Sequence, residues 1–552
     1  METRNKRRLP KLPAGKQVFE AIRREGYLYV DKTQYLVDLI DNGSIYFLAR
    51  PRRFGKSLTV FTLEAMFSGK KELFDGTVGE GRLAAAEWME RPDYEPCPVI
   101  HLDMSRIETA YGEEAMIQSM QQIMYTEAKV RGVKLEKGLT PAAAFESLIF
   151  ELFQKTGKRI VLLIDEYDKA HLDFFANPEK AERARELLRN IYGQIKPNEQ
   201  YLRFIFVTGI SKFTKMGMFS SMNNLTDISR MEVYSAIVGF TENEVKKYFA
   251  AYLKDAAKVY GTTMKDMTDR IRDYYDGFSF DGKTYLYNPY SMALFFMNPP
   301  YPFFNYWIDS GSTKALTEYI RGKRVIIEEL RGIPVDLNSL MAPSYEIDKV
   351  PPEYFFYQTG YLSLRKMKGV DGYDLDYPNK EVLNALSALL VESFTAEHDI
   401  FNLDKRFKYA FESGDMEGVV ESFNALLRSI PYDDYTQAAQ QSFRLRCFKF
   451  TPQEGLYRSI LLSFLRGTGT LAFGELHNSN GREDLVVAAT GKTLVIELKV
   501  AYEGEDPKAK LAEALAQFQS RDYGAEYPDA FRLALVVEDS ERQITQWQDA
   551  ES

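Results

Sequence analysis

Three groups of residues in this chain have the types and spacing for phosphate chemistry. The first is Gly55-Lys56-Ser57, set between an apolar run and a helical pattern in SIYFLARPRRFGKSLT, residues 44–59. A loop of that layout points backbone N–H groups and a helix N-terminus at an anion, and Lys56 adds a point charge. The second is Asp165-Glu166, closing the apolar run of RIVLLIDEYDKA, residues 159–170. One carboxylate can hold Mg²⁺ while the other orients a water. In that reading Lys56 meets the β- and γ-phosphates of ATP, Ser57 and Asp165 hold Mg²⁺, and Glu166 activates the attacking water. Thr208 ends the next apolar run, FIFVTG, and its hydroxyl is expected to sense the γ-phosphate, with Ser211 a weaker candidate.

One position breaks the usual loop pattern. Arg50 stands where GxxxxGK[ST] has its first glycine, the residue that permits close backbone approach to phosphate. Pro51 is expected to stiffen the turn instead. Arg52 and Arg53 are expected to bring positive charge to the phosphates and to the transition state.

The third group is Asp484, Glu497 and Lys499, in GREDLVVAATGKTLVIELKV, residues 481–500. With Thr490-Gly491 as a two-residue hairpin loop, positions whose numbers add up to 981 (490 + 491) face each other, so Asp484 lies opposite Glu497. Facing residues of an antiparallel pair project to one side of the sheet, and Lys499, two residues on, projects there too. Two facing carboxylates repel unless a cation sits between them, and carboxylate oxygens suit Mg²⁺ or Mn²⁺. A lysine beside that metal can orient a nucleophilic water or offset charge on a phosphorane-like transition state. Glu454, early in the preceding helical pattern, is expected as a further ligand. Gln517 and Tyr523, on or just past the following helix, are expected to touch phosphate or the water.

These groups need elements to hold them. Strand patterns at Ile45–Ala49, Val99–Met104, Ile160–Asp165 and Leu202–Thr208 alternate with helical patterns at Ser57–Phe67, Glu114–Arg131 and Lys180–Tyr192. Such alternation predicts a parallel sheet with helices on both faces and ligands at the carboxyl ends of its strands. The last hundred residues read as a separate α-β-β-β-α-β run: Gln453–Leu465, Leu471–Glu475, Asp484–Ala488, Leu494–Lys499, Lys508–Asp522 and Phe531–Val537. The expected organisation is a basic tail (1–15), a P-loop ATPase core (16–230), a helical lid or winged-helix-like region (231–345), a mixed linker and helical region (346–445) and a C-terminal α/β domain (446–552). Aromatic stretches at Tyr274–Tyr290 and Pro300–Trp307 are expected to build a core or an interface rather than stack on bases.

Bulk composition narrows the classes. With 552 residues, 45% apolar and 27% charged, the chain is a multi-domain globular protein. The net charge of −9 gives no overall attraction to nucleic acid, so such a partner would need a local site. Two cysteines and four scattered histidines argue against a disulfide framework or a His-rich metal centre. The basic N-terminus lacks an apolar segment behind it, and no run reaches membrane-span length, so a cytoplasmic protein is expected.

The residues resemble a family of bacterial proteins that join an AAA-like P-loop ATPase domain to a PD-(D/E)XK nuclease-like domain. The resemblance is carried by YVDKT (29–33), RPRRFGKSL (50–58), IDEYDK (164–169), TGISKF (208–213) and FSSMNNLTD (219–227). It continues through GFT (239–241), YDGFSF (275–280), YNPY (287–290), QTGY (358–361), YPNKEV (377–382) and the 481–499 block. The arginine in place of glycine looks like a family trait. The resemblance implies nuclease residues at Asp484, Glu497 and Lys499, with Gln517 and Tyr523 on the following helix. Two positions depart from the pattern: Glu483 replaces an aliphatic residue, and Arg458 stands where histidine is common. The function expected is ATP-controlled, metal-dependent cutting of DNA or RNA, DNA the more so, with a homo-oligomer as the possible assembly. The alternative is an ATP-dependent switch or scaffold whose nuclease-like domain binds nucleic acid or a partner without cutting.

Overall fold

The structure is a computed structural model that describes residues 9–76, 82–174, 177–211, 225–307, 330–337, 340, 350–367, 372–394, 400–429, 452–467, 470–477, 482–489, 492–521 and 529–550. Five strands form the first sheet: β1 (Ile45–Ala49), β2 (Val99–Asp103), β3 (Ile160–Asp165), β4 (Leu202–Gly209) and β5 (Thr226–Asp227). Their order is β2-β3-β4-β1-β5 and all pairs are parallel. The first four are the apolar runs read from the sequence. β3 is buried along its whole length, as a strand covered on both faces must be. β5 has two residues, too few to leave a periodic signal.

The sheet's two faces are covered differently. Phe47, Leu102, Leu162 and Val207 share a core with Met120, Leu148 and Leu188, from the helices Glu113–Val130, Pro141–Thr156 and Pro178–Tyr192. Alternation along the strands turns Asp165 and Thr208 to the other face, where helix α1 (Lys56–Phe67) packs. Half-buried Glu64 anchors α1: it accepts from Arg131 at 3.0 Å and meets His101 Nδ1 at 3.0 Å. Burial pushes its carboxyl up, but these two partners outweigh it and hold Glu64 down at about 2.

The helices Glu242–Tyr248, Ala250–Val259, Met264–Tyr275 and Pro289–Met297 surround a second, aromatic core in which Tyr275, Tyr287, Phe295, Tyr301 and Tyr306 are buried. The aromatic stretches therefore build a core, as expected. Beyond them come helix α2 (Pro352–Thr359), a small antiparallel sheet of β6 (Ile333–Val335), β7 (Ser363–Lys366) and β8 (Tyr373–Asp376), and helix α3 (Lys380–Phe394).

The chain divides into two compact units, Met1–Ala315 with Gly332–Glu381, and Leu316–Arg331 with Val382–Ser552. The second holds helix α4 (Pro452–Gly467), strands β9 (Leu471–His477), β10 (Arg482–Ala489) and β11 (Lys492–Ala501), helix α5 (Pro507–Arg521), β12 (Phe531–Glu538) and β13 (Gln543–Asp549). The sheet order is β13-β12-β11-β10-β9, parallel only between β11 and β12. The α-β-β-β-α-β run is as expected, with β13 added. Leu494, Ile496 and Leu498 of β11 share a core with α4 and with the helices Ile400–Ser413 and Met416–Ser429. Val495 packs instead on Ala514 and Phe518 of α5. The helices at 400–429 bury their apolar faces on this sheet, so the segment read as 346–445 is shared between the two units. Among the described residues no helix is long and apolar enough to cross a membrane.

Candidate functional site

The P-loop joins β1 to α1, and its geometry follows from where each side chain is held. Gly55 caps α1 at φ 98°, in the left-handed region that favours glycine. Lys56 is 5% exposed and donates to the Pro51 carbonyl at 2.9 Å. Burial pushes its ammonium down, and Glu166 and Asp165 push back. Asp165 is buried as well; burial raises its carboxyl, and a hydrogen bond from Ser57 opposes that. Ser57 and Asp165 therefore meet although they lie on different elements. Glu166 is half-buried at φ 51°, and its N–H donates to Asp165 Oδ1 at 3.0 Å. A left-handed glutamate is strained, and such strain collects at functional sites.

The strand order explains how Thr208 joins them. β4 lies between β3, which ends at Asp165, and β1, which leads into the P-loop. Thr208 is fully buried and its hydroxyl has no hydrogen-bond partner among the described residues. A buried hydroxyl left unpaired costs about 1–3 kcal/mol, so an acceptor supplied by a ligand would relieve it.

The arginines divide in an unexpected way. Arg50 is 1% exposed and turns into the interior, donating to the carbonyls of Ala49 (3.0 Å), Ser229 (2.6 Å) and Ser235 (3.3 Å). Its guanidinium lies 4.1 Å over the Phe280 ring. Burial lowers it to about 10, still charged at neutral pH. Arg50 thus ties the start of the P-loop to the segment after β5. Arg53, expected at the phosphates, lies 4.9 Å over the Tyr290 ring at φ 65°. Arg52 is half-buried, and its carbonyl accepts from the Trp307 indole at 3.2 Å. Restoring the usual glycine should therefore harm this chain. Arg50→Gly is expected to lower unfolding free energy by about 3 kcal/mol, from stranded carbonyls and a cavity. Urea unfolding of the variant beside the parent measures it, and equal midpoints would show that the loop does not depend on this arginine.

Sequence reasoning missed Asp168. This carboxylate is 1% exposed and accepts from Ile210 N–H (3.2 Å), Ser211 N–H (2.7 Å) and Ser211 Oγ (2.7 Å). It fastens the end of β4 to the turn after β3. Gly209 makes room: an added Cβ would lie 2.4 Å from the Tyr167 ring and 2.5 Å from Asp168 Oδ1. Ser211, read as a γ-phosphate sensor, spends its hydroxyl on Asp168. The second aspartate of DEYDK, three positions past Asp165, was the available signal.

In the second unit, Lys499 Nζ donates to Glu497 Oε1 at 2.7 Å and to Gln517 Oε1 at 3.2 Å. Glu497 is 2% exposed. Alternation along β11 sends Glu497 and Lys499 to the α5 face, where Gln517 stands. The register pairs Leu485 with Ile496 and Val487 with Leu494, the sum of 981 read from the hairpin. Its next step sets the backbone of Asp484 across from Glu497. The Asp484 side chain, Tyr523 and the Thr490-Gly491 turn lie outside the described residues. Glu454 is in the first turn of α4, whose apolar face packs on the opposite side of the sheet. Among the described residues no cluster of three or more His, Cys, Asp or Glu side chains is assembled for a metal.

Comparison with known proteins follows this division. A family profile described as Predicted AAA-ATPase matches residues 13–219, and one described as PD-(D/E)XK nuclease superfamily matches residues 452–547. Over 524 residues the chain is 31% identical to an Azotobacter chroococcum mcd 1 protein described as an uncharacterized protein in the vnfD 5′ region. That alignment covers 94% of this chain and 93% of the relative. A structure of the Aeropyrum pernix ORC1 protein in complex with DNA aligns with 64% of this chain and 91% of that one. Its identity is 13% and its TM-score 0.25, a likeness too slight to build on. A parallel-sheet P-loop unit and a C-terminal restriction-endonuclease-like α/β unit are the fold class. The chain belongs to the family of proteins that join a predicted AAA-ATPase domain to a domain of the PD-(D/E)XK nuclease superfamily.

Proposed function

We propose that the protein is a nucleotide-regulated nuclease: ATP binds, and is hydrolysed, at the P-loop, and nucleic-acid phosphodiesters are cut at the C-terminal sheet. The observation that carries the reading is the contact of Lys499 with both Glu497 and Gln517, on the strand that pairs with Asp484's own strand β10. The donor set fits a hard divalent cation, with Asp484 and Glu497 as ligands, Mg²⁺ or Mn²⁺ as the ion, and Glu454 as a candidate third ligand. That cation would supply Lewis acidity and an acidified water. Lys499 and Gln517 then hold the attacking water and the substrate phosphate, with Tyr523 a further contact.

At the P-loop, Lys56 binds the β- and γ-phosphates, and Ser57 and Asp165 hold Mg²⁺. Their mutual hydrogen bond supports that pairing. Glu166 orients the attacking water. The orphaned Thr208 hydroxyl supports a role at the γ-phosphate. Arg52 and Arg53 remain candidates for phosphate contact. DNA is the preferred substrate over RNA, the compartment is the cytoplasm, and a homo-oligomer is the proposed assembly.

The test is cleavage of labelled single- and double-stranded DNA and RNA with Mg²⁺ or Mn²⁺, with and without ATP. The parent chain should cut, and ATP should alter the rate. Lys56→Ala should cut at a rate that ATP no longer alters. ATP turnover without cutting on any substrate would sink the nuclease reading and leave the C-terminal unit as a binding module.

A further inference from the structure

The strings YDGFSF, QTGY and YPNKEV carry no chemistry of their own, yet their residues converge on the P-loop. The Trp307 indole N–H donates to the Arg52 carbonyl at 3.2 Å, and the Trp307 backbone N–H donates to Glu381 Oε1 at 2.9 Å. Glu381, of YPNKEV, is fully buried in the first turn of α3. Tyr361, of QTGY, packs on the Trp307 ring with centroids 4.9 Å apart. Gly360 lies so close to the loop that an added Cβ would sit 2.6 Å from Pro51. Phe54 of the loop meets Phe278 at 4.8 Å and Phe280 at 5.6 Å, both from YDGFSF. Through these contacts the three strings reach Pro51, Arg52 and Phe54 of the loop.

A P-loop binds anions through the direction of its backbone groups, so a bond to the Arg52 carbonyl acts on that direction. The bond cannot ignore a rearrangement of the loop: either the indole follows the carbonyl or the bond breaks. The indole is itself tied to Glu381, and the chain passes from the first compact unit to the second within α3, just after Glu381.

We propose that Trp307 and Glu381 are positioning residues for the P-loop and that they register its nucleotide state at the start of α3. This rests on the reading of the loop as a nucleotide site. With nucleotide bound, the Arg52 carbonyl holds the Trp307 indole in one arrangement; without it, in another. A ligand shifts such an equilibrium only through its unequal affinity for the two arrangements, so Glu381 must also affect nucleotide affinity.

The chain has three tryptophans, which makes the idea measurable. Trp88→Phe with Trp547→Phe leaves Trp307 as the sole indole. Its emission should change saturably with ATP, with a midpoint equal to the Kd from calorimetry, and Lys56→Ala should abolish the change. Glu381→Gln should weaken ATP binding by roughly tenfold, within the usual range of coupling between linked sites. ATP binding seen by calorimetry with flat Trp307 emission overturns the proposal. An absence of ATP binding overturns the nucleotide site itself, a different failure. Should the double phenylalanine variant not fold, hydrogen exchange in the unaltered chain replaces it. Peptides spanning residues 50–56, 300–307 and 352–361 should change protection together on ATP binding, and unchanged protection at 300–307 overturns the proposal.

Discussion

Lys499→Ala should cut nucleic acid about 10²–10³-fold more slowly than the parent chain, the usual loss when one fixed electrostatic group at a reacting centre is removed. Its ammonium is held by two partners on different elements, Glu497 of β11 and Gln517 of α5, so it is positioned before substrate arrives. Preorganisation of that kind acts on the transition state more than on binding. Turnover should therefore fall while affinity for uncut DNA, measured without divalent metal, changes little. Glu497 is buried and would lose this cation, so the variant's melting curve belongs beside the assay. A folded Lys499→Ala protein that cuts at the parental rate would reduce the pair to a structural ion pair.

The largest effect on stability is expected at Gly277. Its φ is 95°, and an added Cβ would lie 2.0 Å from the Pro378 carbonyl oxygen, a backbone atom that cannot rotate away. The contact is locked from both sides. Asn379 donates to the Asp276 carbonyl at 2.7 Å, and Ser363 Oγ donates to the Gly277 carbonyl at 2.8 Å. Gly277→Ala is expected to cost more than about 4 kcal/mol, a large share of the 5–15 kcal/mol that holds a typical protein folded. Gly261→Ala is the control: its φ is 63°, but an added Cβ meets nothing within 4 Å. That change should cost only about 1 kcal/mol. Chemical denaturation separates the two, and equal midpoints would show that the 276–279 and 376–379 segments are not held together in solution.

What could be read from the sequence was whatever local pattern encodes. β1 and β3 are uninterrupted apolar runs, and their ends carry the Lys56 and Asp165 groups. The β10–β11 register followed from one hairpin turn, because side chains alternate with a period of two. The fate of Arg50 was hidden, since its partners are backbone carbonyls about 180 residues away and a carbonyl leaves no mark in residue type. Asp168 was hidden for a similar reason: two of its three donors are N–H groups of β4's end. The strings around Gly277, Gly360 and Glu381 could be recognised but not explained, because their purpose lies in close approach to a loop far off in the chain. Which side of the sheet the Glu454-bearing helix covers was hidden as well, because helical periodicity marks an apolar face without naming the surface it meets.

The bond between Arg52 and Trp307 spans 255 residues of chain. A ribosome adding about 5–20 residues per second needs roughly 13–50 s to cover that distance. A nascent chain that has just delivered Gly55-Lys56-Ser57 has the residues of a nucleotide site without the partners that fix its loop. Those partners emerge only by Glu381, about seventy residues before α4 (Pro452–Gly467) and the C-terminal sheet begin. Under the proposed function, the order of synthesis completes the partners of the nucleotide loop before the C-terminal sheet exists, so an unfinished chain would hold the control without the nuclease.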